Sequence, residues 1–431
     1  LVFAQRLQAQ SVDLRLLTET VESDNFALKR ADNRIEFQRT SVATAFEKPK
    51  LQLEGQVGNI QNPFVVDYTV GAQQMFENPS VYRAKYAYLE AGVFTAEMQK
   101  KWERKELILR LSETYFSLAH THRLIQLIQK QDSLLLQVKK VAEAKYQMGA
   151  TDKIDVAEVS VIIGKNQLRQ TEMHAMYAQY EKQLKNILGG NFLPKLTFST
   201  QDSLYSPLFY FLQGEPKGHP AKQWMQAEIE EFGQKVELEK KRLSPDFTLG
   251  VMNQSMQGSI NQWVGLGGIS IPIDKKPQKA KIQLAQLEKY KAELNLRELE
   301  VLRENEWRSL YKEWTSTYER INTLEKEIIP SLHDLRTTSF LKYKLGEQDF
   351  FRWNAYQQQY LEALQIHSEA LKSYYVQLAY FNYLNDDKQN ESELGRVTRS
   401  GRVFNTESNQ IVNTANPRVQ AETRRLGTTW F

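Results

Sequence analysis

The sequence predicts a mainly α-helical protein with a small β part, in which one structural unit occurs twice. Two observations lead to this prediction: matching segments recur at a nearly fixed offset, and each copy joins short alternating stretches to very long helical ones. The offset is 196 or 197 residues, and the matching pairs are PKLQLEG at Pro49 with PDFTLG at Pro245, Ala84-Lys85 with Ala280-Lys281, and AKYQMGATD at Ala144 with LKYKLGEQD at Leu341. A period this long indicates an internal duplication and not a solenoid array.

Each unit opens with two predicted β-strands. In the first unit, LQLEGQVGNI and VDYTVGAQQMF alternate apolar residues such as Tyr68 and Val70 with polar residues or glycine, and QNPF predicts a turn between them. In the second unit, PDFTLGVMNQ and QWVGLGGISIPI repeat this pattern around a turn rich in Gln, Gly and Asn. Alternation with a period of two residues is typical of strands, so we expect four strands per chain.

A very long helix follows each pair of strands. Between Pro79 and Tyr146 the chain is rich in good helix formers and has no further proline, and its counterpart runs from about Lys276 to Leu345. Such a helix of about 65 residues extends about 100 Å. Apolar residues fall seven apart in the second copy, namely Ala280, Leu287, Leu294 and Val301, then Trp307, Trp314, Ile321 and Ile328. This spacing predicts a coiled coil, and Pro330 is expected to kink the helix about one turn away.

Each long helix is expected to end at a glycine and turn back. Gly149 and Gly346 can adopt the left-handed conformation that closes a helix. Thr151 or Asp152 in the first copy, and Asp349 in the second, would cap the helices that return. These returning helices are predicted to end near residues 188 and 383.

Composition limits the classes of function. The chain has 431 residues, a formal net charge of only +4 and no cysteine. The small charge does not favour a nucleic-acid-binding protein, and the lack of cysteine excludes disulfides and thiolate metal sites. No run of 18 apolar residues occurs, so no transmembrane helix is predicted.

Four strands are too few to form a closed barrel, because small membrane barrels begin at eight. An open sheet leaves unpaired edges, and lipid offers no hydrogen-bond partners for them. Three chains would supply twelve strands, which can close around a lumen, together with six long helices. The sequence therefore favours a trimer.

The ordered set of these segments resembles the TolC-type outer-membrane efflux proteins of Gram-negative bacteria over roughly residues 12–385. The resemblance is carried by the Pro-x-φ-x-φ-Gly strand openings, by GLGGISIPIDKKPQKAKIQLAQ, by HPAKQWMQAEIEEFGQKVELEKKRLSPDF and by the Tyr-x-φ-Gly motif at the helix ends. It implies a homotrimer with a 12-stranded β-barrel in outer-membrane lipid and a periplasmic α-helical tunnel. It also implies two partners: a periplasmic adaptor (membrane fusion) protein and an inner-membrane pump such as an RND or ABC transporter. The implied function is the exit duct of a tripartite efflux pump or type I secretion system.

On the basis of this resemblance, we divide the chain into five predicted parts. Residues 1–4, LVFA, read as a signal-peptide remnant, with a plain N-terminus as the alternative. The remaining parts are a first repeat over 5–195, an equatorial connector over 196–218, a second repeat over 219–385 and a polar, loosely ordered tail over 386–431.

The hairpin ends carry the candidate site residues. The adaptor-docking tips are predicted to be Met148, Gly149, Ala150, Leu345, Gly346 and Glu347. The tunnel-gate candidates are Asp155, Glu158, Gln348 and Arg352. In the family, acidic residues often follow the second tip, whereas here Arg352 and Ala355 occupy those turns. The gate charge is therefore expected to come from the first repeat or to be mixed in sign.

Other classes are less favoured. No nucleophile, base and orienting residue come together in the sequence, so we expect neither an enzyme nor a cofactor. His120 and His122 are two apart on a helix and point to different faces, which disfavours a metal pair. A periplasmic adaptor would have a single hairpin, and a soluble coiled-coil scaffold would not need the strands; both remain alternatives. Aromatic residues near the strand ends would form an interfacial belt or belong to an ordinary core: Phe64, Tyr68, Phe76, Phe247 and Trp263.

Overall fold

The structure is a computed structural model that describes residues 14–59, 63–190 and 219–384, together with residues 196, 198, 204 and 207. The predicted signal remnant and polar tail, and most of the predicted connector, lie outside the described residues.

Both units share the order helix, two strands, long helix and returning helix, as the duplication predicts. The first unit consists of α1 Leu14–Asp24, α2 Phe26–Val42, a 3-10 turn Ala43–Phe46, β1 Gln52–Gly58, β2 Asp67–Phe76, α3 Pro79–Gln147 and α4 Lys153–Ile187. The second consists of α5 Pro220–Lys241, β3 Asp246–Met256, β4 Ser259–Ser270, α6 Lys276–Thr323, a π-helical turn Leu324–Ile328, α7 Ile329–Leu345 and α8 Phe350–Leu384. The prediction of two long helical hairpins and four strands is confirmed.

Capping residues fix where the helices begin. Asn78 accepts a hydrogen bond from the backbone N–H of Ser80 at 3.0 Å, and Pro79 occupies the first helical position of α3. The Nδ1 atom of His219 accepts from the N–H of Ala221 at 3.1 Å, and Pro220 begins α5. Proline is favoured at this position because its missing N–H would have no partner inside the helix.

Three apolar clusters hold the helices together. One cluster, shared by α1, α3 and α4, consists of Leu17, Val21, Leu111, Leu118 and Leu184. Helices α6 and α8 share the cluster Trp307, Trp314, Ile321, Tyr374 and Phe381. Near the hairpin ends, residues from both units form the cluster Leu135, Val138, Val159, Tyr343, Phe350 and Trp353. The two hairpins are therefore packed against each other close to their tips.

The predicted heptad seam of the second unit is only partly buried. Trp307, Trp314 and Ile321 lie in the core, whereas Leu287, Leu294, Val301 and the other remaining seam positions are exposed. Ala285 and Ala292 are buried instead, in the part of α6 that packs along α5. Small residues allow close packing on that side, so the leucine seam faces away from its own chain.

A π-helical turn precedes Pro330, and the predicted kink of the helix stays a prediction. The N–H of Ile329 donates to the carbonyl of Leu324 five residues earlier, and α7 begins at Ile329 with Pro330 in its first turn. Proline cannot donate the next hydrogen bond. No helix in the described ranges is long and apolar enough to cross a membrane.

The four strands form one antiparallel sheet in the order β1-β2-β3-β4. The pairing of β2 with β3 joins the two units. Gln257 and Gly258 connect β3 to β4, with φ of +51° and +84°, which is the geometry of a two-residue type I′ hairpin turn. Among the residues that the structure describes, β1 and β4 are the two edges of the sheet.

Candidate functional site

The strand register collects apolar residues on one face of the sheet. Residues paired directly across antiparallel strands lie on the same face. One face carries Leu53, Val57, Tyr68, Val70, Ala72, Phe76, Phe247, Leu249, Val251, Trp263 and Ile269. The opposite face carries mostly polar residues, namely Gln52, Glu54, Gln56, Thr69, Gln73, Thr248, Gln254 and Gln262, with Met75, Met252, Val264 and Leu266 as exceptions.

The apolar face is not covered by any part of the described chain. Leu53 is 75% exposed and Val57 is 77% exposed. Contiguous exposed apolar surface of this kind marks a membrane or protein contact. Tyr68 and Phe76 stand at the two ends of the face in β2, eight residues and therefore about 26 Å apart. This length is close to the apolar band of about 25 Å in outer-membrane barrels.

The predicted aromatic residues lie near both ends of this face. Phe76 pairs with Phe247 at the end next to the helices. Tyr68 lies at the hairpin end, where its hydroxyl donates to Oδ1 of Asn253 at 3.1 Å. Trp263 pairs with Asn253 on the same face. Their role as an interfacial belt stays a prediction.

Gly250, on the polar face, lies close to the backbone of β2 at the centre of the sheet. A Cβ atom on Gly250 would lie 2.8 Å from the backbone oxygen of Ala72 and from Cβ of Gln73. Glycine is therefore required where β2 and β3 approach most closely.

Both hairpin tips have the same backbone structure. In the first, Gly149 has φ of +68°, its N–H donates to Tyr146, and the next N–H donates to Lys145 at 2.9 Å. In the second, Gly346 has φ of +82°, its N–H donates to Tyr343, and the next N–H donates to Lys342 at 3.0 Å. These are the two hydrogen bonds of a Schellman motif, so the predicted left-handed helix ends are confirmed.

The caps of the returning helices differ between the repeats. Asp349 accepts from the N–H of Arg352 at 2.8 Å and caps α8 as predicted. Asp152 occupies the cap position of α4 but its side chain makes no capping bond. The Thr151 hydroxyl donates to the carboxylate of Asp155 instead, so the prediction of a side-chain cap in the first repeat is wrong.

The tips present apolar side chains to solvent. Met148 is 74% exposed and Leu345 is 73% exposed. Ala150 and Glu347 are exposed beside them. A Cβ atom on Gly149 or Gly346 would have no atom within 4 Å. The surface around both glycines is therefore open to another molecule.

Lys145 connects the first tip to the second. Its Nζ atom donates to the carbonyl oxygen of Tyr343 and lies 4.1 Å from the centre of that ring. Burial lowers the pKa of Lys145, and the nearby carboxylate of Asp155 partly opposes this change. Burial, with a smaller contribution from Asp155, raises the pKa of Tyr343 to about 12. Lys145 and Tyr343 were not among the predicted site residues, although they belong to the matching segments AKYQMGATD and LKYKLGEQD.

The four gate candidates are not brought together within one chain. Asp155 lies beside Lys145 and Tyr343, and Gln348 donates to the hydroxyl of Ser339. Glu158 is half-buried, with one carboxylate oxygen that has no hydrogen-bond partner. Arg352 is exposed and makes no ion pair with any residue in the described ranges. Contact between Arg352 and either acidic residue stays a prediction for the assembled protein.

The histidines of α3 contact different elements. His120 lies within 2.9 Å of the hydroxyl of Ser368 and 3.0 Å of Glu369. His122 bonds with Gln126 one turn along its own helix. Within the part of the chain that the structure describes, no three His, Asp or Glu side chains form a metal-binding group.

Comparison with solved structures relates this fold to known channels. No family model matches the chain, and no curated protein matches it. The Campylobacter jejuni CmeC outer-membrane channel aligns with a TM-score of 0.72 and 15% identity over 90% of this chain and 89% of that one. The Vibrio cholerae outer-membrane protein VceC aligns with a TM-score of 0.70 and 13% identity over 88% of this chain and 97% of that one.

The open state of the Neisseria gonorrhoeae MtrE outer-membrane channel also aligns, with a TM-score of 0.66 and 14% identity over 86% of this chain and 88% of that one. The chain therefore has the fold of these outer-membrane channels, and the TolC-type resemblance predicted from its sequence is confirmed for the fold.

Proposed function

We propose that three copies of this chain form an outer-membrane channel that is the exit duct of a tripartite efflux pump or type I secretion system. The proposed partners are outer-membrane lipid, a periplasmic adaptor and an inner-membrane pump of the RND or ABC class. The proposed channel is not an enzyme, and the pump selects the substrate.

The observation that carries this proposal is the exposed apolar face of an open sheet. Lipid would cover that face. The unpaired backbone groups of β1 and β4 would form hydrogen bonds with β4 and β1 of neighbouring copies. Four strands from each of three copies give the twelve strands of a closed barrel. The polar face would then line the lumen.

The helices offer a matching contact surface. The exposed leucines of the α6 seam are spaced seven residues apart, and α4 carries a similar exposed row of Ile154, Val161 and Leu168. Rows of this kind pack against a second helix in coiled coils. A neighbouring copy is the proposed occupant of each row, because the threefold arrangement that closes the sheet also places the helices of adjacent copies next to one another.

Both alternatives account for less of the structure. A periplasmic adaptor with one hairpin does not account for two hairpins with the same tip. A soluble coiled-coil scaffold does not account for the exposed apolar face of the sheet. The tips are proposed to receive the adaptor, because small or apolar residues surround both glycines and admit a helix end closely.

The proposed lipid contact can be tested by placing arginine on either face of the sheet. Val251→Arg puts a charge at the centre of the apolar face, where the expected cost is about 2–4 kcal/mol in lipid. Gln73→Arg is the matched control, because Gln73 lies in an adjoining position on the polar face and bonds to Glu54 at 2.8 Å. We expect Val251→Arg to reduce the amount of assembled protein in outer-membrane fractions, and Gln73→Arg to leave it near wild type. Equal assembly of the two variants would contradict the proposal.

A further inference from the structure

The second hairpin has a structural break that the first lacks. Helix α3 is continuous for 69 residues, whereas α6 gives way to the π-helical turn before Pro330. Because proline has no N–H, the carbonyl of Lys326 loses the donor that an α-helix would provide. Turns of this kind are local weak points and often occur at functional sites.

A buried histidine holds this turn against the neighbouring helix. The Nε2 atom of His367, in α8, lies 2.7 Å from Oε1 of Glu325 in the π-helical turn. His367 is only 6% exposed. On its other side, the guanidinium of Arg123, in α3, lies 3.5 Å from Nδ1 of His367. Three elements thus meet at one imidazole ring.

The partners of His367 define its protonation state. Arginine only donates hydrogen bonds, so Nδ1 must be the accepting, unprotonated nitrogen. The proton therefore lies on Nε2, which donates to the carboxylate of Glu325. The other titratable groups nearby are Tyr375, close to Arg123, and His120, which is held by Ser368 and Glu369. The neutral ring fits this arrangement, because it accepts from a cation and donates to an anion.

A small change of angle at the turn would displace the second tip, because the tip lies at the far end of α7. Helix α7 has 17 residues and is therefore about 25 Å long. A change of about ten degrees at the turn would move the far end of α7 by about 4 Å. That end carries Leu345 and Gly346, and the gate candidate Arg352 follows in the first turn of α8.

We propose that the π-helical turn Leu324–Ile328 is an acid-sensitive hinge of the second hairpin, held in position by the contacts of neutral His367 with Glu325 and Arg123. Protonation of Nδ1 removes the nitrogen that accepts from Arg123 and places two cations against each other. The arrangement in which His367 is buried then becomes less stable than one in which the turn has moved away from α3 and α8.

The direction of the pH effect follows from the linkage between protonation and conformation. Burial lowers the pKa of His367 from its ordinary value of 6.5; the hydrogen bond that His367 donates to Glu325 opposes this change, and the charge of Arg123 reinforces it. A lowered pKa means that the closed arrangement binds the proton less well than an open one. Its stabilisation is therefore complete above pH 6.5 and is lost as the pH falls toward the lowered pKa.

Amide hydrogen exchange of the full chain, purified in detergent, tests this hinge without requiring transport. Protection of the amides in residues 324–335 should fall between about pH 7.5 and about pH 5.5, after correction for the intrinsic pH dependence of exchange. The fall can reach about tenfold for each unit by which the pKa is lowered. Residues 305–320 of α6, above the turn, serve as the internal reference and should keep their protection.

Three variants assign the effect to His367. His367→Gln can still accept from Arg123 and donate to Glu325 but cannot be protonated, so the pH response should disappear. His333→Gln, the same change on the exposed side of α7, should keep the response, as should His120→Gln. A pH response that survives in His367→Gln, or that vanishes in either control, would overturn the proposal, as would unchanged protection in the wild type.

A fourth variant keeps the proposal testable if His367→Gln does not fold. Glu325→Gln removes the carboxylate that favours the protonated ring, so the loss of protection should move to lower pH. If the loss of protection stays at the same pH, His367 is not the titrating group and the proposal is wrong.

Discussion

Gly149 and Gly346 end the two long helices with the same pair of backbone hydrogen bonds, and open space surrounds both. This explains why the segments AKYQMGATD and LKYKLGEQD both contain a glycine at the same place. Each repeat needs a residue that tolerates a positive φ at the end of its helix. The neighbouring Lys145–Tyr343 contact then fixes the position of one tip relative to the other.

Valine at either tip glycine should impair export without preventing assembly. Gly149→Val and Gly346→Val each cost about 1–3 kcal/mol locally, which a long coiled coil tolerates, but the added side chain occupies the proposed docking surface. Trimer levels should stay normal while export and tip cross-linking to the adaptor fall. Gly190→Val is the matched control, since Gly190 also has a positive φ of +88° and open surroundings but lies at the far end of α4. Normal export by the double tip variant would show that the tips are only turns.

Arg352 is proposed to set part of the charge at the tunnel entrance, together with Asp155 or Glu158 of the first repeat. Arg352→Glu should shift the ion preference of single channels in planar bilayers toward cations, because a negative charge replaces a positive one at the proposed tunnel entrance. Lys326→Glu makes the same charge change in the π-helical turn and should shift the preference less. Unchanged conductance and selectivity in Arg352→Glu would place the gate elsewhere.

At the scale of elements, α6 divides into two parts with different partners. Its C-terminal part packs on α8 through Trp307, Trp314 and Ile321. In its N-terminal part, Ala285 and Ala292 are buried and Leu287 and Leu294 are exposed. The heptad spacing in the sequence predicted the apolar positions of α6 but not which of them pack within the chain. A helix that contacts both its own chain and a neighbouring copy is apolar on two sides, and the spacing alone does not distinguish them.

The exposed seam of α6 should contribute to trimer stability. Leu287→Asp combined with Leu294→Asp removes two leucines from the proposed subunit contact, at a cost of about 1.5–3 kcal/mol for each side chain. The temperature at which the detergent-solubilised trimer dissociates on gels should fall. Asn295→Asp is the control, because Asn295 is exposed on the same helix but points about 100° away from Leu294. Equal dissociation temperatures for the two variants would exclude this seam from the interface.

At the scale of the whole molecule, local patterns in the sequence were enough to predict the duplication, the four strands, the long helices and both helix ends. The π-helical turn and the contacts of His367 with Glu325 and Arg123 could not be predicted, because the residues in contact lie on three elements that are far apart in sequence. The same reason applies to Lys145 and Tyr343, which come from different repeats. Asp152 lies at the cap position without a side-chain capping bond, while Thr151 bonds to Asp155. Residue preferences alone do not predict which polar side chain at a helix start makes a hydrogen bond.

The most direct test of the central claim is the mass of the purified protein in detergent, measured together with its conductance in planar bilayers. Four strands with two free edges and an apolar outer face predict a complex of three chains that forms a continuous aqueous pore. A monomer or a dimer, or a trimer that conducts no ions, would contradict the proposed channel.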